Sequence, residues 1–252
     1  MTQRQVNSLE ITVLTLFPKF FENFVESSIV GRAIKENIVS VKIENLRDYT
    51  SLKNNQVDDY SFGGKKGMVI MCEPIFNALS KIDPQHAYHR VYLSPQGNVL
   101  NQKKALSISK YKKILILCGH YEGIDERALE WFDEEISIGD YVLTGGEVAS
   151  LVLMDAIIRL VPNVIATESV ENDSFSEDNL LDYPHYTKPR IFQGHEVPPV
   201  LLSGNHAQID EWRNEQSVLN TFNKRKDLWE KIKDKPKYQQ IIKKHKGDSN
   251  EK

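Results

Sequence analysis

The sequence predicts an α/β fold in which helices cover both faces of a mostly parallel sheet, followed by a small domain made only of helices. In the first two-thirds of the chain, short apolar and β-branched runs alternate with segments of helical periodicity. This alternation is typical of strands that are buried on both faces of a sheet. After residue 180 the patterns are helical only. Of the 252 residues, 40% are hydrophobic, which is enough for one large core or two smaller ones.

Five strands are predicted from apolar or alternating runs that are bounded by glycine, proline or charged residues. They cover residues 9–17, 38–43, 90–93, 113–118 and 134–138. Helices are predicted where apolar residues recur at helical spacing, the first of them opening at Pro18. They cover residues 18–25, 74–81, 102–111 and 124–131. The segment 147–160 is apolar on nearly all sides, so we expect a helix buried in a core or an interface.

Two shifts in composition mark a domain boundary. Residues 168–182 carry six acids and no lysine or arginine, which is typical of an exposed linker. Residues 224–246 carry ten lysines or arginines against three acids. Helical patterns follow the acidic stretch at residues 205–222, 224–235 and 239–245. We therefore expect the boundary near residues 166–180.

The composition excludes several classes of protein. A net charge of −3 excludes a polycation of the histone kind, and two distant cysteines, Cys72 and Cys118, exclude a disulfide framework and a cysteine-cluster zinc site. No apolar run is long enough to cross a bilayer, and the first ten residues lack the apolar segment of a secretory signal. We therefore expect a cytoplasmic protein.

Three loops that follow predicted strands combine glycines with polar residues. They read YLSPQG at 92–97, CGHYEG at 118–123 and IGDYVLTGGE at 138–147. Ligands of open α/β sheets bind beyond the carboxyl ends of the strands, and glycine lets the backbone approach a ligand closely. Each loop alone is more typical of an ordinary turn than of a ligand site. The three together favour a ligand pocket.

Several common chemistries lack their sequence motifs. The chain contains no phosphate-binding loop, no dinucleotide-binding fingerprint, no serine nucleophile elbow and no cluster with zinc-ligand spacing. The seven histidines are scattered. The glycine-rich loop at residues 58–68, DDYSFGGKKGM, allows two interpretations. It is either a solvated surface loop or a mobile lid whose Lys65 and Lys66 contact phosphates.

Six strings together resemble the bacterial tRNA (guanine-N(1)-)-methyltransferase family, also called TrmD. They are YLSPQG (92–97), GHYEGIDER (119–127), IGDYVLTGGE (138–147), DSF (173–175), LLDYPHYTKP (180–189) and VPPVLLSGNH (197–206). The resemblance implies a SPOUT-type methyltransferase domain with a deep trefoil knot, S-adenosylmethionine as the methyl donor, and a homodimer with its active sites at the interface. It also implies methylation of ring nitrogen 1 of the guanosine immediately 3′ of the anticodon in tRNA. The family is magnesium-dependent, but no ligand cluster in this sequence identifies a site.

The resemblance also implies a division of the chain. Residues 1–165 would bind S-adenosylmethionine, 166–180 would be a flexible acidic linker, and 181–252 would be a helical tRNA-binding domain. The cofactor-binding residues would be Tyr92, Leu93, Ser94, Pro95, Gly119, Tyr121, Glu122, Gly123, Ile138, Gly139, Asp140, Tyr141, Val142, Leu143, Gly145 and Gly146. The RNA-binding candidates are Lys65, Lys66, Tyr186, Lys188, Arg190, Lys224, Arg225 and Lys226. The basic residues among them also suit an ordinary solvated surface.

Asp173 and Arg159 match the catalytic pair of the family. A carboxylate can accept the proton that nitrogen 1 of guanine must lose, a role we assign to Asp173. A guanidinium can stabilise the negative charge that then develops on the neighbouring carbonyl oxygen, a role we assign to Arg159. From its position alone, without the resemblance, Arg159 is better interpreted as a partner for the carboxyl end of a helix.

The sequence departs from the family pattern at three places. Lys65 and Lys66 stand where the family has glycine and proline, Val148 and Ala149 replace a usual Leu-Pro pair, and Lys188 replaces a usual arginine. Two other functions stay open at this point. One is a ribose 2′-O-methyltransferase of the same superfamily, and the other is a non-catalytic RNA-binding protein that has kept the fold.

Overall fold

A computed structural model describes residues 9–64, 66–166, 173–176 and 178–250, with side chains up to residue 245. The chain divides into two compact units, of which the first ends at Ala166 and the second begins at Thr167. In the described residues, no helix is both long enough and apolar enough to cross a membrane.

A five-stranded sheet with the strand order β2-β1-β6-β5-β7 forms the centre of the first unit. Every pairing in it is parallel. The strands are β1 (Leu9–Thr15), β2 (Val39–Asn45), β5 (His89–Val99), β6 (Lys113–Cys118) and β7 (Glu134–Ser137). The prediction of a mostly parallel α/β sheet is therefore confirmed.

The sheet is covered on both faces because alternate residues of its strands enter two different cores. On β6, Ile114 and Ile116 pack into one hydrophobic cluster, and Leu115 and Leu117 pack into the other. All four are fully buried. This packing explains why the strand reads as a continuous apolar run.

In the described residues of the first unit, five α-helices, three longer 3₁₀-helices and one three-residue 3₁₀ turn accompany the sheet. The α-helices are α1 (Glu22–Glu26), α2 (Ser28–Lys35), α3 (Cys72–Ile82), α4 (Gln102–Ile108) and α5 (Gly146–Ile158). The 3₁₀-helices that follow β1, β2 and β6 are Pro18–Phe21, Leu46–Tyr49 and Glu126–Trp131, and a further short turn lies at Lys53–Asn55. The predicted helix at 124–131 is thus a 3₁₀-helix, which starts where the Asp125 side chain accepts a hydrogen bond from the Arg127 amide.

The glycine-rich loop of the sequence is the tip of an antiparallel hairpin, which the sequence did not predict. Its strands are β3 (Asp58–Tyr60) and β4 (Met68–Ile70). The backbone of β4 is bound to the segment after β6, because the Glu122 amide donates to the Met68 carbonyl and the Ile70 amide donates to the Gly123 carbonyl, both at 3.0 Å. The base of the loop is therefore fixed to a neighbouring loop.

The second unit is mainly helical. Its α-helices are α6 (His206–Lys224), α7 (Lys226–Ile232) and α8 (Pro236–Asn250), and a 3₁₀-helix covers Pro199–Leu202. Its hydrophobic cluster contains the buried residues Leu180, Val218, Ile232, Tyr238 and Ile242. A short antiparallel hairpin of β8 (Ile191–Phe192) and β9 (His195–Glu196) departs from the expected all-helical domain. Two-residue strands carry too little periodicity to be read from sequence.

The described end of the predicted acidic linker is packed against helices of the second unit. Leu180 is buried in its hydrophobic cluster. The Leu181 amide donates to Thr221 Oγ1 at 2.9 Å, and Asp178 accepts hydrogen bonds from Lys235 and from the Tyr238 hydroxyl. At these positions the carboxylate has a structural role, which differs from the exposed linker that the composition suggested. Residues 167–172 and 177 lie outside the described residues.

Candidate functional site

A cavity of about 320 Å³ lies at the carboxyl ends of β6 and β7 and beside residues 92–96 of β5, at the edge of a parallel sheet where ligands bind. Its volume is at the lower end of the range for small-molecule sites. The residues that line it are Tyr92, Leu93, Ser94, Pro95, Gln96, Gly119, His120, Tyr121, Glu122, Gly123, Ile136, Ser137, Ile138, Gly139, Tyr141, Val142, Leu143, Thr144, Gly145, Gly146 and Ala149. The three loops singled out in the sequence therefore meet in one place.

Of the residues proposed to bind the cofactor, all except Asp140 line this cavity. The sequence reasoning missed six lining residues: Gln96, His120, Ile136, Ser137, Thr144 and Ala149. Gln96, His120 and Thr144 belong to the three loop motifs already identified in the sequence, so they could have been predicted as cavity residues from those motifs. Ile136 and Ser137 end β7, and Ala149 belongs to α5. Their place at the cavity follows from the three-dimensional packing alone.

The wall nearest β6 is formed by a chain crossing. β5 lies between β6 and β7 in the sheet, yet the segment that leaves β7 returns to the end of β6. There His120 and Gly145 form an isolated antiparallel bridge, and the Gly146 amide donates to the Gly119 carbonyl at 2.7 Å. A Cβ on Gly146 would lie 2.7 Å from the Gly119 nitrogen. The two backbones can meet this closely because Gly146 has no side chain, whereas a Cβ on Gly119 would instead lie 2.9 Å from the Tyr92 hydroxyl.

The opposite wall is a bulge in β5. Leu93 and Asn98 both pair with Ile136 of β7, so residues 94–97 leave the ladder between them. Inside the bulge the Gln96 amide donates to Ser94 Oγ at 2.9 Å. Gly97 touches β7, since a Cβ there would lie 2.4 Å from the carbonyl carbon of Glu135. The bulge turns Ser94, Pro95 and Gln96 toward the cavity.

Tyr92 of β5 and Cys118 of β6 are buried ionisable groups whose pKa is raised by the protein. Burial raises the pKa of the Tyr92 phenol to about 12, and the nearby carboxylates of Glu135 and Glu126 add to this effect. Burial, together with the charge of Glu147, raises the pKa of the Cys118 thiol well above its usual range. Both groups are therefore protonated at neutral pH, and Cys118 is not a nucleophile.

The chemistry of the cavity suits an organic ligand that carries a positive charge. Much of its wall is main chain at glycines, which can read an adenine or a ribose by N–H and C=O groups. The described residues that line it include the carboxylate of Glu122 but no lysine or arginine. In the described part of the chain, no group of three or more His, Cys, Asp or Glu side chains could hold a metal ion. The residues present thus fit S-adenosylmethionine, a sulfonium cation.

The two catalytic candidates lie in different units. Arg159 follows the last residue of α5 in the first unit and is half-buried. Asp173 is half-buried in the second unit. Both side chains make interactions within the protein.

The RNA-binding candidates are exposed wherever the structure describes them. This holds for Lys66 in the hairpin loop and for Tyr186, Lys188, Arg190, Lys224, Arg225 and Lys226 in the second unit. Two of them already have carboxylate partners, since Arg190 pairs with Glu196 and Arg225 pairs with Asp227. Lys65 lies outside the described residues.

The fold and cavity define an α/β protein with a cavity of ligand size at the carboxyl edge of a parallel sheet. A family model described as tRNA (Guanine-1)-methyltransferase TrmD matches residues 9–231. The chain belongs to this family.

Curated relatives with the same name align with this chain over nearly their whole length. A tRNA (guanine-N(1)-)-methyltransferase of Mycoplasma capricolum subsp. capricolum is 48% identical over 241 residues, covering 95% of this chain and all of the relative. The protein of that name from Metamycoplasma arthritidis is 48% identical, covering 90% of this chain and 99% of the relative. The one from Ruminiclostridium cellulolyticum is 49% identical, with the same coverage of both chains. These identities extend over both units of the chain.

Proposed function

We propose that this protein methylates ring nitrogen 1 of the guanosine immediately 3′ of the anticodon in tRNA, with S-adenosylmethionine as the methyl donor. The cavity carries this proposal, because three glycine-containing loops of family type meet there around a space that fits the donor. Family membership supports the reaction and the substrate. We place the reaction in the cytoplasm, where a tRNA substrate would be met.

The cavity residues hold the donor and orient it in this proposal. The main chain at Gly119, Gly145 and Gly146 leaves room for adenosine, and Tyr92 and Leu93 supply apolar surface just before the bulge of β5. When bound, S-adenosylmethionine supplies a methyl group whose bond to sulfur breaks as its bond to nitrogen forms, which leaves a neutral thioether. The protein therefore needs no covalent nucleophile, in agreement with the buried and protonated Cys118.

Two side chains complete the reaction in this proposal. The Asp173 carboxylate accepts the proton of guanine nitrogen 1, which frees the lone pair of that nitrogen for attack. The Arg159 guanidinium stabilises the negative charge that develops on the neighbouring carbonyl oxygen. The matches of Asp173 and Arg159 to the family motifs support these roles.

The second unit binds tRNA in this proposal. Lys224, Arg225 and Lys226 are exposed around the junction of α6 and α7, and Tyr186, Lys188 and Arg190 are exposed before β8. Lysine and arginine side chains pair with phosphates, so binding should weaken as salt is added. Arg225 would exchange its bidentate pair with Asp227 for a phosphate.

A homodimer and a knotted chain belong to the same proposal. Val148 and Val152 of α5 are each 44% exposed, and Val142, just before the helix, is 86% exposed. An apolar face of this kind is typical of an interface, and a second copy of this chain would cover it. The return of the chain from β7 across β5 to β6 supports a threaded connection at residues 138–146.

The proposed function is tested with purified protein, methyl-labelled S-adenosylmethionine and total tRNA from a strain that lacks this activity. Nucleosides of the product are resolved by mass spectrometry. We expect labelled 1-methylguanosine with the wild type and with Glu211→Gln, a control that changes an exposed carboxylate of the second unit. We expect none with Asp173→Asn, while the donor still binds.

Each other result contradicts a stated part of the proposal. Label in a ribose-methylated nucleoside would show the other reaction of the superfamily. An absence of label, with tRNA still bound, would show a non-catalytic RNA-binding protein. Normal turnover of Asp173→Asn would remove the assigned base while leaving the reaction itself established.

A further inference from the structure

A buried carboxylate lies behind one wall of the cavity. Glu147, in the first turn of α5, is only 3% exposed. Its Oε1 accepts a hydrogen bond of 2.8 Å from Thr15 Oγ1 at the end of β1. That hydroxyl in turn accepts from the Phe17 amide at 2.9 Å, so its single hydrogen is directed to Glu147. One oxygen of the carboxylate is thus held in place.

The other oxygen, Oε2, lies next to the cavity wall. A Cβ on Gly145, which lines the cavity, would be 2.4 Å from this oxygen. The nearest basic atom is Nδ1 of His120, at 4.0 Å, which is too far for a hydrogen bond. That nitrogen is buried and forms no hydrogen bond with any described residue. A glycine backbone is therefore the barrier between a buried negative charge and the cavity.

The charge of Glu147 has little compensation inside the protein. No lysine or arginine in the described part of the chain forms an ion pair with it, and His120 is the one base within 4.0 Å. A buried charge without a partner is costly, and the amino end of α5 offsets only part of that cost. A cation bound in the cavity would offset more of it.

We infer that Glu147 makes the cavity prefer a cationic ligand over a neutral ligand of the same shape. Given the proposed function, on which this inference rests, the preference is for S-adenosylmethionine over S-adenosylhomocysteine, which lacks the sulfonium charge. The bound product would therefore be held less tightly than the donor. Glu122, which also lines the cavity, is exposed, and water screens its charge more strongly.

Glu147→Gln separates this electrostatic role from a structural one. The amide oxygen of glutamine can still accept the hydrogen bond of Thr15, while the negative charge is lost. Calorimetric titration with each ligand measures both dissociation constants. We expect the constant for S-adenosylmethionine to rise about tenfold, and the constant for S-adenosylhomocysteine to change less than twofold. The control is Glu36→Gln, which removes a charge from an exposed residue just before β2, at the opposite edge of the sheet, and should change neither constant.

Glu147→Asp keeps the charge but shortens the side chain, so it should retain the preference for the cation even if both affinities fall. Equal weakening of both ligands by Glu147→Gln would overturn the inference, because it would show a purely structural role. Unchanged affinities would overturn it as well. If Glu147→Gln does not fold, as judged by circular dichroism, loss of the preference in Glu147→Asp would overturn it. Failure of the wild type to bind either ligand would instead contradict the proposed function.

Discussion

Replacement of Gly97 by alanine should damage the cavity from a position that does not line it. Gly97 ends the bulge of β5, where a Cβ would lie 2.4 Å from both the Glu135 carbonyl carbon and the Ile136 nitrogen, and 2.5 Å from the Glu135 oxygen. All three atoms belong to the backbone of β7, which cannot rotate away as a flexible side chain can. The bulge or the end of β7 must therefore move.

Two effects contribute to the expected loss in the free energy of unfolding of Gly97→Ala. A methyl group forced into a packed region costs about 1–3 kcal/mol. Loss of a backbone hydrogen bond where β5 and β7 pair again, at Asn98 and Ile136, adds about 1 kcal/mol. Gly97 is not in a left-handed conformation, so no backbone strain enters. We expect a loss of about 3 kcal/mol in the free energy of unfolding, which lowers the melting temperature by roughly 6–12 °C.

Urea denaturation followed by tryptophan fluorescence measures the stability, and calorimetry measures the affinity for S-adenosylmethionine. Gly64→Ala is the matched control. Gly64 is in the left-handed region with φ +73° but has no atom within 4 Å of a Cβ, so only a conformational cost of about 1 kcal/mol is expected. A Gly97→Ala protein as stable as Gly64→Ala, with unchanged ligand affinity, would refute the steric argument.

Three further perturbations test other parts of the structure. Asp83→Ala should cost about 3–5 kcal/mol in urea denaturation, because Asp83 is the buried partner of the Arg90 guanidinium at 2.7 Å; a loss below about 1 kcal/mol would contradict this. Replacement of Lys224 and Lys226 by glutamine should weaken tRNA binding and lower the slope of log affinity against log salt by up to about two, and an unchanged slope would place the RNA elsewhere. The Lys235 ammonium and the Tyr238 hydroxyl hold the pKa of Asp178 below its usual range, so the stability it adds is present at neutral pH and is lost as pH falls through that lowered pKa. Thermal unfolding should therefore separate Asp178→Asn from the wild type most clearly at neutral pH, and the difference should shrink as the pH falls through the lowered pKa of Asp178. A difference that grows in acid would exclude this role.

The buried parts of the fold were predictable because burial on both faces leaves a continuous apolar run. The predicted strand 113–118 coincides with β6, and the predicted helical segment 147–160 covers all of α5 except its first residue, Gly146. Most of the cavity wall was predictable for a different reason. Loops after parallel strands meet at one edge of a sheet, so the glycines after the predicted strands 90–93, 113–118 and 134–138 indicated a common site.

The parts that sequence could not predict depend on contacts between distant segments. β5 was predicted to end at residue 93, but it extends to Val99 because β7 pairs with it again beyond the bulge. The hairpin of β3 and β4 is held by backbone hydrogen bonds to the loop after β6. These bonds do not depend on side chains, so the sequence pattern of either strand does not indicate them. The burial of Leu180 in a stretch of acids likewise reflects tertiary packing, which overrides local composition.

The glycines in and next to the cavity are required for different reasons. Gly145 has a side chain as its nearest neighbour, with Glu147 Oε2 at 2.4 Å from its Cβ position, whereas Gly97 and Gly146 are pressed against backbone. A substitution at Gly97 or Gly146 must therefore move a strand, while one at Gly145 must displace the buried carboxylate. Some of these glycines are needed for close backbone packing and others for the space next to Glu147. Loss of activity in a glycine variant therefore does not show that the glycine contacts the ligand. Stability and ligand preference must be measured together to separate the two.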